Sequence, residues 1–365
     1  METKNLKVCL VHDWLVTYRG GEKVLGILSD MFPRAPIFTL FYDPSKMPEI
    51  FATKKISTPP FSSLLKPFRK MLLPVLPTMM ESFDLSGFDL VLSSSSCVAK
   101  GAIKSEGAKH LCYIHSPMRY VWDQMEEYIQ GLKHIPGAET FIRLGAPKLR
   151  DWDVSSASRV DHFVANSHFV KKRVENYYHR EATVIHPPIA VESFLATSNT
   201  VTKDGYFLAA GALVAYKRFD LAIEACNRLR RRLIVAGSGP MLDQLRQLAG
   251  PTIEFIIQPH DDTFKRLLAG ADALIFPGVE DFGMIAIETM ASGTPVIAFK
   301  GGGALDFIEE GRTGLFFDEQ HPESLVQRLE SFQNHAFSRE ELQNFSKKFD
   351  EHQFKEKIMS EIRSL

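Results

Sequence analysis

The sequence predicts an α/β protein of two domains, each built on a doubly wound parallel sheet. Three observations carry this reading. Apolar runs of strand length alternate with helix-length amphipathic segments over nearly the whole chain, the pattern of repeated βα units. Those runs are bounded by Gly, Pro and polar clusters, which suits strands covered on both faces. A length of 365 residues is too great for one ordinary domain and fits two.

In chain order, the first half offers strands at Lys7–Val11, Ile37–Phe41, Leu90–Ser93, His110–Ile114, His162–Ala165 and Thr183–Ile185. The second offers Tyr206–Gly211, Arg232–Ala236, Ile253–Ile257, Ala273–Phe276 and Pro295–Ala298. Between the halves stand His186-Pro187-Pro188 and the polar stretch Ala196–Asp204. Prolines oppose helix and the polar stretch has little to bury, so the linker is placed there. The expected domains are 1–195 and 196–345, with a C-terminal helix over 346–365 packing back on the first. Beyond Thr313-Gly314-Leu315 the chain is expected to be helical and charged to Leu365. Doubly wound sheets bind ligands at the carboxyl ends of their strands, so the chemistry is expected in the strand-to-helix loops.

Composition narrows the function. Hydrophobic residues make up 45% and charged residues 24%, and the formal net charge is −1, which argues against a surface built wholly to hold nucleic acid. Cys9, Cys97, Cys112 and Cys226 are scattered without metal-ligand or disulfide spacing and read as reduced thiols of a cytoplasmic protein. Met1-Glu2-Thr3-Lys4 runs straight into Leu6-Lys7-Val8-Cys9, without a leader's longer apolar stretch. No window approaches the roughly 18 apolar residues of a membrane span. The expectation is a cytoplasmic protein, neither exported nor integral, with peripheral docking at the inner face of the membrane left open.

The most informative stretch runs from Ala273 to Glu288. A buried strand ends near Phe276, a Pro277-Gly278 loop follows, and a helix is expected to start near Phe282 or Gly283. Free N–H groups and the positive dipole end at that start make a ready phosphate site, and Gly283 lets an anion approach closely. Glu288 lies about 7.5 Å along the helix axis, and Glu280 stands ahead of it. A nucleoside diphosphate sugar has the matching order of parts, since a carboxylate accepts well from vicinal hydroxyls on either side of the diphosphate. The two acids alone are explained as well by solvated helix-end charges.

In their context, Phe276-Pro277-Gly278-Val279-Glu280-Asp281-Phe282-Gly283 with Glu288 resembles the E-x7-E signature of glycosyltransferase family 4, retaining enzymes of the GT-B fold. Ala291-Ser292-Gly293-Thr294-Pro295 and the Gly301-Gly302-Gly303 turn are similar to the segments on the carboxyl side of that signature in the family. The resemblance to mannosyltransferase-like members extends through Val11-His12-Asp13-Trp14-Leu15, Arg19-Gly20-Gly21-Glu22, His115-Ser116-Pro117-Met118-Arg119-Tyr120, Asn166-Ser167 and Tyr216-Lys217-Arg218-Phe219-Asp220. It implies two Rossmann-like domains facing each other across a cleft, with the donor on the second. It implies that Glu288 grips the ribose, Glu280 the donor sugar, and that Phe282, Gly283 and Met284 lend backbone contacts. Lys217 falls where the family keeps a lysine on the diphosphate. The arginine usual five residues earlier is replaced by Ala212, and Arg218 is the candidate substitute.

The remaining candidates are weaker. Gly20-Gly21 opens a helix and is either an anion-tolerant turn or a plain tight one; the family sets this loop against the diphosphate. His115 ends a strand and matches a histidine of the family's cleft, which favours a sugar-binding or catalytic role over a core one. Gly237-Ser238-Gly239-Pro240 lacks the third glycine of a dinucleotide fingerprint, and the family has a similar turn at the nucleotide. Asp151-Trp152-Asp153 imitates a metal-binding D-x-D but sits in an expected helix, so it reads as surface charge, and no metal and no cofactor are expected. Phe61–Pro74 mixes bulky apolar residues with Lys66, Arg69 and Lys70. A core-facing helix and a monotopic patch for anionic lipid explain it equally well.

The function so implied is a metal-independent retaining transfer of a hexose, mannose from GDP-mannose before UDP-hexoses, to a saccharide acceptor. Lipid-linked acceptors and cell-surface polysaccharide synthesis fit that class. The rivals are a hydrolysing epimerase, a non-catalytic sugar-nucleotide-binding protein and, weakest, a nicotinamide-dependent oxidoreductase.

Overall fold

The computed structural model describes residues 6–69, 71–123, 125–130, 135, 137–333 and 336–365. It divides into two units, Met1–His186 with Phe354–Leu365, and Pro187–Gln353.

The first unit holds a seven-stranded parallel sheet of β1 (Val8–His12), β2 (Ile37–Thr39), β3 (Ile56–Ser57), β4 (Leu90–Ser95), β5 (Lys109–Ile114), β6 (His162–Ala165) and β7 (Ala182–Val184). Its order is β3-β2-β1-β4-β5-β6-β7. Alternation along β1 explains the burial on both faces. Val8 and Leu10 join one core with Leu25, Leu90, Leu111 and Tyr113, while Cys9 and Val11 join the other with Phe41, Val91 and Cys97. All four cysteines are free and buried, and burial pushes the thiols of Cys9, Cys112 and Cys226 up to about 12, which leaves them inert.

The second unit is a six-stranded parallel sheet of β8 (Phe207–Ala210), β9 (Leu233–Ala236), β10 (Ile253–Ile256), β11 (Ala273–Phe276), β12 (Val296–Phe299) and β13 (Gly314–Phe317). Its order, β10-β9-β8-β11-β12-β13, is that of the dinucleotide-binding doubly wound fold. Both sheets therefore reverse direction at a switch point, between β1 and β4 in the first and between β8 and β11 in the second. The crevice at the carboxyl ends of such a pair of strands is where these folds take ligands.

Two expectations need correction, and one strand was not foreseen. The unit boundary falls after His186 instead of after Leu195, because Val191–Ser198 is a helix whose Val191 and Phe194 pack in the second core with Leu208 and Leu274. Gly314–Phe317 is an edge strand paired with β12, so the helical tail expected beyond Leu315 begins only at Pro322. The two-residue β3 was invisible because so short a run carries no periodicity. At the C-terminus, Phe354, Ile358 and Ile362 recur every four residues on the helix Glu351–Ser364 and join Leu10, Leu111 and Tyr113 in the first unit's core. Each such burial stabilises by about 1.5–3 kcal/mol.

Among the described residues no helix is long and apolar enough to cross a membrane.

Candidate active site

In the second unit the glycines at the carboxyl strand ends show how tightly the loops meet. Gly237, after β9, has φ +148°, and a Cβ there would fall 1.8 Å from the Gly211 carbonyl oxygen. Gly211, after β8, has φ +130°, and its Cβ would lie 3.0 Å from Lys217 Nζ. Only glycine lets these two backbones touch while Lys217 lies over them. Lys217 ends a short 3₁₀ turn, Ala215–Lys217, and its side chain is buried. Its ammonium lies 2.7 Å from Glu280 Oε1. The sequence points to each of these residues but not to their ion pair, since nothing in their spacing joins a loop after β8 to one after β11.

The Glu280 loop is clamped from two sides. A Cβ on Gly278 would meet the Tyr216 carbonyl oxygen at 2.6 Å, and one on Gly303 would meet Phe282 Cα at 2.4 Å. The Gly303 N–H donates to the Glu280 carbonyl at 2.8 Å. The helix Met284–Ala291 begins with Gly283 as its N-cap at φ +106°, at the later of the two starts allowed by the sequence. Phe282 is core, its ring 5.5 Å from that of Phe307, so only its backbone can serve a ligand. The first N–H groups of Met284–Ala291 have no partner within the helix and add its positive dipole end. Glu288, farther along, is buried, which removes it from the solvated helix-end charges.

The structure gives Arg218 a different employment. Its backbone is left-handed at φ +53°, and its guanidinium grips the Asp220 carboxylate with contacts of 3.0–3.2 Å. No described contact links it to Lys217 or Glu280.

In the first unit, Gly20 and Gly21 open the helix Gly20–Met31, where the Glu22 carboxylate accepts the Arg19 N–H at 2.9 Å in a capping box. A Cβ on Gly21 would sit 3.6 Å from His115 Nε2, so these two predicted residues are neighbours. Behind His115 lie two residues that sequence reasoning did not assign. Ser94 Oγ is 2.8 Å from His115 Nε2, and His12 Nδ1 is 2.9 Å from the Ser94 carbonyl oxygen. The signal available was the run Ser93-Ser94-Ser95-Ser96, hydroxyls at the carboxyl end of an otherwise apolar strand. Burial, with His12 nearby, pushes the His115 imidazole down to about 3, so it is neutral at physiological pH. Asp13 next to this group is structural. It accepts the backbone N–H groups of Ser96, Cys97, Val98 and Ala99 at 2.6–3.0 Å and closes the loop after β4.

Asp151-Trp152-Asp153 does lie in a helix, Ala138–Ser156, but Asp153 is not surface charge. It is fully buried, paired at 3.1 Å with the equally buried Lys100, and accepts from Trp122 Nε1 and the Tyr178 hydroxyl.

Comparison with known proteins gives the family and the fold. A model of Glycosyltransferase Family 4 matches residues 20–193, and one of glycosyl transferases group 1 matches residues 190–349. The two run without a gap through most of the chain, which belongs to glycosyltransferase family 4. An uncharacterized glycosyltransferase of Methanocaldococcus jannaschii is 31% identical over 151 residues, 39% of this chain and 39% of that protein, so the match spans about two fifths of either. A GDP-mannose-dependent α-(1-6)-phosphatidylinositol monomannoside mannosyltransferase of Mycobacterium tuberculosis is 32% identical over 124 residues, 29% of this chain and 32% of the other. Anabaena HepE, crystallised with UDP and glucose, has the same fold, a TM-score of 0.69 over 99% of this chain and 100% of its own at 17% identity. The architecture is thus GT-B, with two parallel-sheet Rossmann-like units.

Proposed function

We propose that the protein is a retaining, metal-independent hexosyltransferase that takes mannose from GDP-mannose. The observation that carries this is the grouping of Lys217, Glu280, the helix start at Gly283–Met284 and the buried Glu288 around the β8–β11 switch point. In this reading Glu288 accepts from the ribose hydroxyls and Glu280 from the hexose hydroxyls. Lys217, released from Glu280, meets the diphosphate together with the helix start, while Gly237 leaves room for the nucleotide. Gly20 and Gly21 add N–H groups near the phosphates from the first unit, and His115 contacts the hexose. The C1–O bond to the diphosphate breaks as the acceptor oxygen bonds C1 on the same face, and the departing phosphate oxygen takes the acceptor's proton. Growing negative charge on the diphosphate is what the cation and the N–H groups stabilise.

Mannose is favoured by the motifs shared with mannosyltransferase-like members and by the GDP-mannose dependence of the mycobacterial relative; a UDP-hexose is the competing donor. Isothermal titration is expected to show GDP-mannose binding, weakened by roughly 1.5–3 kcal/mol in Glu288→Gln, which keeps the shape and loses the charge-assisted bonds. Strong UDP-glucose binding with none of GDP-mannose would overturn the donor, and unchanged affinity in Glu288→Gln would overturn the ribose grip.

The acceptor is proposed to be a lipid-linked saccharide reached at an anionic bilayer. Instead of one amphipathic helix, the segment from Phe61 is a short helix, Ser62–Leu65, followed by 3₁₀ turns that contain Pro67 and Pro74. Phe61, Leu64 and Phe68 are 76, 71 and 57% exposed, and Phe61 is held at φ +62°, a costly conformation for a bulky residue. Leu144 is 75% exposed on the helix whose Gly145 abuts Pro74, and Lys148 stands exposed one turn on. Arg69 supplies charge beside these side chains, and Lys66 does so while paired at 3.0 Å with Asp43; Lys70 lies outside the described residues. Bulky apolar tips ringed by cations dock on anionic interfaces, each basic residue adding about 1 kcal/mol. Lys66, Arg69 and Lys70 changed together to glutamate, or Phe61→Ser with Leu64→Ser, should reduce cosedimentation with phosphatidylglycerol vesicles and leave donor hydrolysis intact. Wild-type protein that ignores such vesicles at low salt sinks the membrane reading.

A further inference from the structure

Ser94 lies on β4 directly opposite His12 on β1, at the first unit's switch point, and is fully buried. Its hydroxyl is 2.8 Å from His115 Nε2 and 3.2 Å from His12 Nδ1, and its own carbonyl oxygen is 2.9 Å from the same His12 nitrogen. A carbonyl oxygen can only accept, so His12 Nδ1 carries a proton and shares it between the carbonyl and the hydroxyl oxygen. The hydroxyl then has one proton of its own and, among the described contacts, one neighbour left to receive it, His115 Nε2. The opposite assignment, with Nε2–H donating to the hydroxyl, would leave the proton of a buried hydroxyl without an acceptor.

We propose that Ser94 is a positioning residue that holds His115 as the neutral tautomer protonated at Nδ1, so that His115 presents a fixed N–H donor to a hexose oxygen and cannot act as a base. This rests on the reading of His115 as a hexose contact. The ring is braced for the role: its edge meets Tyr113 at a centroid distance of 5.2 Å, and Gly21 lies against its Nε2 side. No described hydrogen bond occupies Nδ1, which is not among the buried polar atoms lacking a partner, so that nitrogen is open to a ligand. With the Nε2 lone pair engaged by Ser94 and Nδ1 already protonated, His115 has no site for the acceptor's proton. That proton is left to the departing phosphate.

The test is a long-range ¹⁵N–¹H correlation spectrum of the full chain labelled at histidine, with His115 assigned by the signal lost in His115→Gln. Wild-type protein is expected to show a pyrrole-type Nδ1 and a pyridine-type Nε2. Ser94→Ala should move protonation toward Nε2 and lower kcat about tenfold, with the donor KM changed by less than about twofold. Ser94→Thr, which keeps the hydroxyl, should restore both the spectrum and the rate. A wild-type His115 protonated at Nε2, an unchanged tautomer in Ser94→Ala, or a shifted tautomer with full rate in a chain that needs His115 would each overturn the proposal. Full transfer by His115→Gln would instead overturn the hexose-contact reading, and the spectrum would still decide what Ser94 does.

Discussion

Lys217→Ala is expected to lower kcat by roughly 10²–10³, about 2.7–4 kcal/mol of transition-state stabilisation, while EDTA leaves the wild-type rate unchanged. The diphosphate gains charge as the glycosidic bond breaks, and in a site poor in water that charge must be met by preorganised cations and N–H groups. Arg218 is engaged by Asp220, and position 212 is alanine, so Lys217 is the cation the second unit offers at the Glu280 loop. Arg218→Ala should accordingly cost far less than Lys217→Ala. The loss should fall mainly on kcat, because the charge to be met is greatest in the transition state. The aspartates of Asp151-Trp152-Asp153 do not offer an alternative, since Asp153 is consumed by Lys100. Complete inhibition by EDTA, reversed by manganese or magnesium, would overturn the metal-free mechanism.

The second large effect lies away from the donor. Lys100→Met is expected to destabilise the protein by about 3–5 kcal/mol, the cost of leaving a buried carboxylate uncompensated. Lys100 Nζ meets Asp153 Oδ1 at 3.1 Å, the Asp153 carbonyl at 2.5 Å and Ser156 Oγ at 2.6 Å, beneath the rings of Trp152 and Tyr178. Asp153 Oδ2 keeps Trp122 and Tyr178, but Oδ1 has no other partner among the described residues. Adding Asp153→Asn should recover part of the loss, since the amide oxygen still accepts from Trp122 and Tyr178 without a charge. Trp14, Trp122 and Trp152 all lie in the first unit, so urea unfolding followed by tryptophan fluorescence reports on it directly. A Lys100→Met transition within about 1 kcal/mol of wild type would mean that the pair contributes little beyond its packing.

What the sequence determined by itself is the periodic part of the molecule. Apolar runs of strand length such as Leu111–Ile114 and Ala273–Phe276, bounded by polar and turn residues, suit strands covered on both faces, and their alternation with helices makes the sheets parallel. Glu280, Gly283, Gly21 and His115 stood out as candidates because each sits in a loop at a strand end or at a helix start, whereas Lys217, and Glu288 inside the helix Met284–Ala291, were singled out through the family resemblance. Contacts between distant segments were decided only by the tertiary structure. Whether Asp153 faced water or Lys100 depended on a neighbour 53 residues away, and the burial pattern of one helix does not name that neighbour. Arg218 was read from charge and position, yet its left-handed backbone directs the guanidinium to Asp220. The Lys217–Glu280 pair and the His12–Ser94–His115 chain arise because parallel strands far apart in sequence lie side by side at a switch point. A one-dimensional pattern records which groups a loop carries; sheet order and register decide which of them meet.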